Sequence, residues 1–194
     1  MIGLVLCGGE SKRMGRDKGL ILSGKKTWAG VIAEKIQSAG ISTYISVNAD
    51  SSKAYRKFFS DEVLIVDDLS IPVRGPLTGI LAAHRHFPDE DILVIACDMQ
   101  NMTADIIQKL LVACREFPGY NVYLFSRENE PEPLCAVYTS GCLSDVLNKF
   151  IEGDRLRFSM KSVLAGYELF IIPIEATEFG HFDNFNSPDD LSRN

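Results

Sequence analysis

The sequence predicts an α/β domain whose mostly parallel sheet is covered by helices on both faces. Two observations carry this. Over residues 1–117, short apolar runs alternate with segments of helical periodicity. The apolar runs are also continuous rather than alternating, the pattern of strands buried on both sides.

Residues 2–6 (IGLVL) read as the first buried strand, and residues 7–18 (CGGESKRMGRDK) as a glycine-rich, basic loop. Trp28, Val31, Ile32 and Ile36 recur at helical spacing, which predicts a helix over 28–39 that Gly40 ends. A strand is expected at 43–48, a short helix at 52–59, a strand at 62–66 and a helix at 77–87. Residues 91–97 (DILVIAC) form the most apolar strand, which runs into Asp98. A helix over 103–116 follows, with Thr103 as its cap and Ile106, Ile107, Leu110, Leu111 and Cys114 on one stripe. Beyond residue 117 the pattern loosens. Strands are expected at 120–125, 134–138 and 168–173, and helices at 140–151 and 158–164. Ser187, Pro188 and Asp190 then form a helix-start signature. With no repeat and no linker, residues 1–194 read as one domain, regular over 1–117 and less regular over 118–194.

Net charge is −6, from 20 basic and 26 acidic residues, which argues against a chain that coats nucleic acid. Cys7, Cys97, Cys114, Cys135 and Cys142 fit neither a zinc site nor a disulfide scaffold, so they are expected reduced and mostly buried. No apolar stretch is long enough for a membrane span, and the first residues lack a basic leader and cleavage region. A cytoplasmic location is the expectation.

In an open parallel sheet, ligands bind beyond the carboxyl ends of the strands, where the glycine loop stands. Gly8 and Gly9 let backbone approach a phosphate, Arg13 offers a fork of donors, and Lys18 a compact charge. The other reading is a basic surface loop with glycine turns. A Walker A loop is excluded, since no G-x-x-x-x-G-K-[ST] string occurs, and GG lacks the dinucleotide spacing. Asp98, at a strand end beside this loop, suits magnesium, which takes one or two carboxylates plus phosphates. It also suits a turn ahead of Met99-Gln100-Asn101. Asp67, Asp68 and Asn48 end strands and are either base or ribose acceptors or loop residues bonding their own backbone. Arg74 either reaches the mouth of the site or is solvated, and Arg155 and Arg157 are either phosphate contacts or a solvated helix start. His84, His86 and His181 form no metal pattern.

The string LCGGESKRMGRDKGL resembles the signature of the molybdenum cofactor guanylyltransferase family, L-x-G-G-x-S-x-R-M-G-x-D-K, with Cys7 where alanine is commonest. The resemblance continues through VNA at 47–49, Asp67-Asp68, GPLTG at 75–79, Cys97-Asp98, EPLCAVY at 132–138 and FDNFNSPDDL at 182–191. It implies a Rossmann-like three-layer nucleotidyltransferase fold, with a nucleotide-binding half (1–117) and an acceptor-side half (118–194). It also implies transfer of GMP from GTP to the phosphate of molybdenum-bound molybdopterin, with pyrophosphate released. By the same resemblance Leu6, Cys7, Gly8 and Gly9 border the nucleotide, Lys18 contacts its phosphates, and Asn48 and Asp68 contact nucleotide. Asp98 binds magnesium and GTP, and Asn184 and Asn186 lie toward the molybdopterin. Arg13, Lys18 and Asp98 are the expected catalytic residues. Proteins that deliver molybdopterin or mature molybdoenzymes are the expected transient partners. Transfer from CTP, a sugar-phosphate acceptor, and a non-catalytic binding role remain open alternatives.

Overall fold

The apolar run Ile2–Leu6 is a strand (β1) buried at every position. It forms part of a computed structural model that describes residues 1–7, 17–71, 73, 75–152, 159–187 and 190. After it come a two-residue hairpin, β2 (Leu22–Ser23) and β3 (Lys26–Thr27), and helix α1 (Trp28–Ser38). The hairpin was not expected from the sequence. Gly24, at φ 61°, supplies the left-handed turn residue it needs. Thr27 ends the hairpin and caps α1, its hydroxyl accepting the Gly30 N–H at 3.1 Å.

Strand β4 (Thr43–Val47) leads into α2 (Ala49–Tyr55), then β5 (Leu64–Val66), α3 (Pro76–His86), β6 (Ile92–Ala96) and α4 (Ala104–Glu116). Helix α2 begins three residues earlier than expected, because Asn48 accepts the Ser51 N–H at 2.7 Å and starts it directly at the strand end. Strand β5 is shorter than expected because Asp61–Val63 turn as a 3-10 helix. Thr103 caps α4 as its sequence implied.

The second half supplies β7 (Val122–Arg127), β8 (Glu130–Tyr138), α5 (Ser140–Ile151), α6 (Met160–Gly166) and β9 (Leu169–Pro173). Strand β8 starts four residues before its expected position. Glu128 and Asn129, at φ 51° and 70°, make the tight two-residue turn that folds it back on β7.

One seven-stranded sheet runs in the order β5-β4-β1-β6-β8-β7-β9. The pairs β5–β4, β4–β1, β1–β6 and β7–β9 are parallel, while β8 runs antiparallel to both β6 and β7. The fold is therefore mixed α/β with a mostly parallel sheet. One face buries Ile32 and Ile36 of α1 and Ile106, Ile107 and Leu110 of α4. The other buries Leu77, Ile80 and Leu81 of α3, Leu143 and Val146 of α5, and Val163 of α6. Close approach of α3 depends on Gly79, where an added Cβ meets Ser46 Oγ at 2.1 Å and Leu6 Cδ2 at 3.1 Å.

Candidate active site

The parallel strands end on one edge of the sheet, and their last residues put chemistry there. Leu6 ends β1 and Cys7 follows it, Asn48 follows β4, Asp67 and Asp68 follow β5, and Cys97 and Asp98 follow β6. Because β1 lies between β4 and β6, its end is flanked by the other two. Pairing continues past the strands. Cys7 N–H donates to Ser46 O, and Cys97 N–H to Leu6 O, both at 3.0 Å.

Lys18 reaches this edge from a short 3-10 turn, Lys18–Leu20. Asp17 caps the turn by accepting the Gly19 N–H at 3.1 Å. The same carboxylate oxygen accepts the Tyr55 hydroxyl at 2.6 Å. Tyr55 is fully buried at the end of α2, so α2 fixes where Lys18 begins. Burial, with Cys7 and Asp17 nearby, pushes the phenol's pKa up, and Tyr55 stays a neutral donor. Gly19 is needed for this closeness, since a Cβ there meets Tyr55 Oη at 2.2 Å and Cys7 Sγ at 2.9 Å.

The Lys18 ammonium donates to Asp98 Oδ2 at 2.9 Å and to Asn186 Oδ1 at 2.8 Å. The Phe185 N–H donates to Asp98 O at 3.0 Å, tying the C-terminal segment to the end of β6. Three stretches far apart in sequence thus meet around one cation. Side-chain exposures of 23% for Lys18 and 18% for Asp98 leave the pair reachable but partly shielded from water, where charge interactions strengthen.

The other expected residues are placed less uniformly. Leu6 and Cys7 have their side chains in the core. Asn48 spends its side-chain oxygen on the α2 cap. Asp68 accepts the Ser70 N–H at 2.8 Å and pairs with Arg85, whose Nη1 also donates to Ser70 Oγ at 2.8 Å. Hydrogen bonds from Ser70, then Arg85, hold the Asp68 carboxyl below its usual range. Asp67 is half-buried, and desolvation pushes its carboxyl up to about 6. Asn184 is exposed two residues before Asn186. Gly8, Gly9, Arg13, Arg74, Arg155 and Arg157 lie outside the described residues.

Asp17, Tyr55 and Arg85 were not singled out from the sequence. Asp17 stood inside the signature string beside Lys18, so its position was a signal. Tyr55 and Arg85 sit in helices with no motif around them, and only the tertiary structure reveals their partners. All five cysteines are free thiols, four of them buried.

An open cleft of about 330 Å³ is lined by Asn101, Thr177, Gly180, His181 and Asp183. His181 Nδ1 lies 2.8 Å from Asn101 O, and Asp183 pairs with Arg127 at 3.6 Å. Among the described residues, no group of three or more His, Cys, Asp or Glu side chains converges to hold a metal. A single hard carboxylate is compatible with magnesium, an ion that takes one or two carboxylates and fills its remaining positions with phosphate and water. Among the described residues, no helix is long and apolar enough to cross a membrane.

A family model described as MobA-like NTP transferase domain matches residues 3–167. The chain is 31% identical over 189 residues to a protein of Flavobacterium johnsoniae named "Probable molybdenum cofactor guanylyltransferase", covering 97% of this chain and 93% of that one. It is 29% identical over 198 residues to the molybdenum cofactor guanylyltransferase of Haemophilus influenzae, covering 98% and 95%. The crystal structure of molybdopterin-guanine dinucleotide biosynthesis protein A from Archaeoglobus fulgidus superposes with a TM-score of 0.76 at 25% identity, covering 100% of this chain and 96% of that one.

Proposed function

Because the chain belongs to the MobA-like NTP transferase family, we propose that it transfers GMP from GTP to the phosphate of molybdenum-bound molybdopterin, releasing pyrophosphate. Lys18 and Asp98 facing each other at 2.9 Å on the carboxyl edge of the sheet is the observation that carries the reading. A cation for polyphosphate and a carboxylate for its metal stand together where the fold places ligands. Similarity to guanylyltransferases over nearly the whole length supports GTP as the donor.

The nucleophile is a phosphate oxygen of the acceptor, ionised at neutral pH, so no side chain needs to remove a proton. It attacks the α-phosphorus of GTP, a new P–O bond forms, and the bond to the β-phosphate oxygen breaks as pyrophosphate leaves. The protein's part is positioning and charge stabilisation. Lys18, with Arg13 from the glycine loop, neutralises the phosphates and the departing pyrophosphate. The backbone at Leu6 and Cys7, with Gly8 and Gly9, borders the nucleotide. Asn48 and Asp68 flank the same edge and serve as further nucleotide contacts. Asn184 lies toward the acceptor. Asp98 is the residue that would hold magnesium, and the ion when bound offsets charge on the transferring phosphates.

Free thiols support a reducing compartment, and we infer the cytoplasm. Proteins that supply molybdopterin or receive the finished cofactor are the inferred partners.

The experiment is product analysis. Purified protein is incubated with magnesium, molybdenum-loaded molybdopterin and either GTP or CTP. The reading predicts a guanine dinucleotide and one pyrophosphate per turnover. A cytosine dinucleotide, or a sugar dinucleotide when sugar phosphates are supplied, would replace it.

A further inference from the structure

Asn186 sits in the segment whose resemblance points toward the acceptor, yet its side chain touches the cation expected to hold the donor. We infer that Asn186 is a positioning residue for the nucleotide, acting through Lys18. The inference rests on the reading of Lys18 as a triphosphate contact.

Lys18 begins a short turn and carries a four-carbon stem with many rotamers. A single ion pair to Asp98 would leave the ammonium free to swing about that carboxylate. A second acceptor, Asn186 Oδ1 at 2.8 Å, restricts it to the line between the two. Asn186 can do this because its backbone is held on both sides. Its own N–H donates to Asp190 Oδ2 at 2.8 Å, and the Ser187 N–H donates to the same oxygen at 2.9 Å. On the other side Phe185 is buried, and its N–H is bonded to Asp98 O at 3.0 Å. The residue that orients Lys18 is thus tied to the backbone of the carboxylate that pairs with it. An amide also suits the task chemically. It accepts from the ammonium without cancelling its charge, so Lys18 keeps its attraction for a polyphosphate. Asn186 therefore adds to donor binding before any acceptor arrives.

Donor binding is titrated calorimetrically with α,β-methylene GTP and magnesium, with no acceptor present, for the wild type, Asn186→Ala, Lys18→Ala and the double variant. Steady-state kinetics of Asn186→Ala are measured alongside, with each substrate varied in turn. Losing a hydrogen bond to a charged group is expected to weaken analogue binding by roughly tenfold in Asn186→Ala. KM for the nucleotide rises while KM for the acceptor stays at its wild-type value. Placed in the Lys18→Ala background, the same substitution changes affinity by less than about twofold, because its target is gone. Melting temperature of Asn186→Ala stays near the wild-type value, which separates positioning from unfolding.

The inference is overturned if Asn186→Ala binds the analogue as the wild type does and raises only the acceptor's KM. It is equally overturned if the loss persists in full without Lys18. Should the wild type bind the methylene analogue of CTP and not that of GTP, the donor assignment fails. The same variants titrated with the CTP analogue then decide the role of Asn186 by itself.

Discussion

The Tyr55 hydroxyl donates to the Asp17 carboxylate at 2.6 Å, and Asp17 is the residue immediately before Lys18. A buried phenol at the end of α2 thereby sets the position of a cation on the sheet edge. Tyr55→Phe keeps the ring and removes the donor. Loss of one hydrogen bond to a charged group is expected to lower stability by about 1.5–3 kcal/mol. It should also raise KM for the nucleotide, because the Lys18 turn loses an anchor. Chemical denaturation and steady-state kinetics on the same variant check both.

Gly79 lets α3 lie against β1 and β4. Alanine there gains up to about 1 kcal/mol of helix propensity. Its Cβ meets the Ser46 hydroxyl at 2.1 Å in a closed core, however, and overpacking of that kind costs about 1–3 kcal/mol. Gly79→Ala is therefore expected to melt lower than the wild type. Adding Ser46→Ala removes the nearest clashing atom and should recover part of the loss, with Ser46 Cβ still tight at 3.2 Å.

Much of this arrangement was legible in the sequence, for identifiable reasons. Continuous apolar runs such as Ile2–Leu6 and Ile92–Ala96 announced buried parallel strands, and Thr103 marked the start of α4 by its hydroxyl. Lys18 and Asp98 were visible as candidates, because a cation after a glycine loop and a carboxylate after the most apolar strand are both local features. Their contact was not, since it depends on β1 and β6 being neighbours. The direction of β8 was hidden too. Its turn uses Glu128-Asn129 rather than the Asn-Gly pair that signals a hairpin. Asn186 was assigned by resemblance to the acceptor side, and only tertiary structure shows its amide on Lys18.

Asp67 makes stability depend on pH. Burial raises its carboxyl from an ordinary value near 3.8 to about 6, so the folded state favours the protonated form. The contribution from this group is full below pH 3.8 and is lost as pH rises through about 6. Asp67→Asn removes that dependence. Above pH 6 the variant is expected to be more stable than the wild type, by on the order of 1 kcal/mol once water screening of a half-exposed group is discounted. Denaturant midpoints measured from pH 4 to pH 8 for both proteins test it. A wild-type advantage that grows across that range contradicts it.

Lys18 and Asp98 are proposed to face each other because a metal-bound polyphosphate is held there. Pyrophosphate release from GTP and molybdenum-loaded molybdopterin, compared between the wild type and a folded Asp98→Ala variant, tests it most directly. Steady release is expected from the wild type and a loss of at least about 10²-fold in the variant, the scale of removing a main electrostatic contributor. Undiminished release by Asp98→Ala, with its melting curve intact, would contradict it.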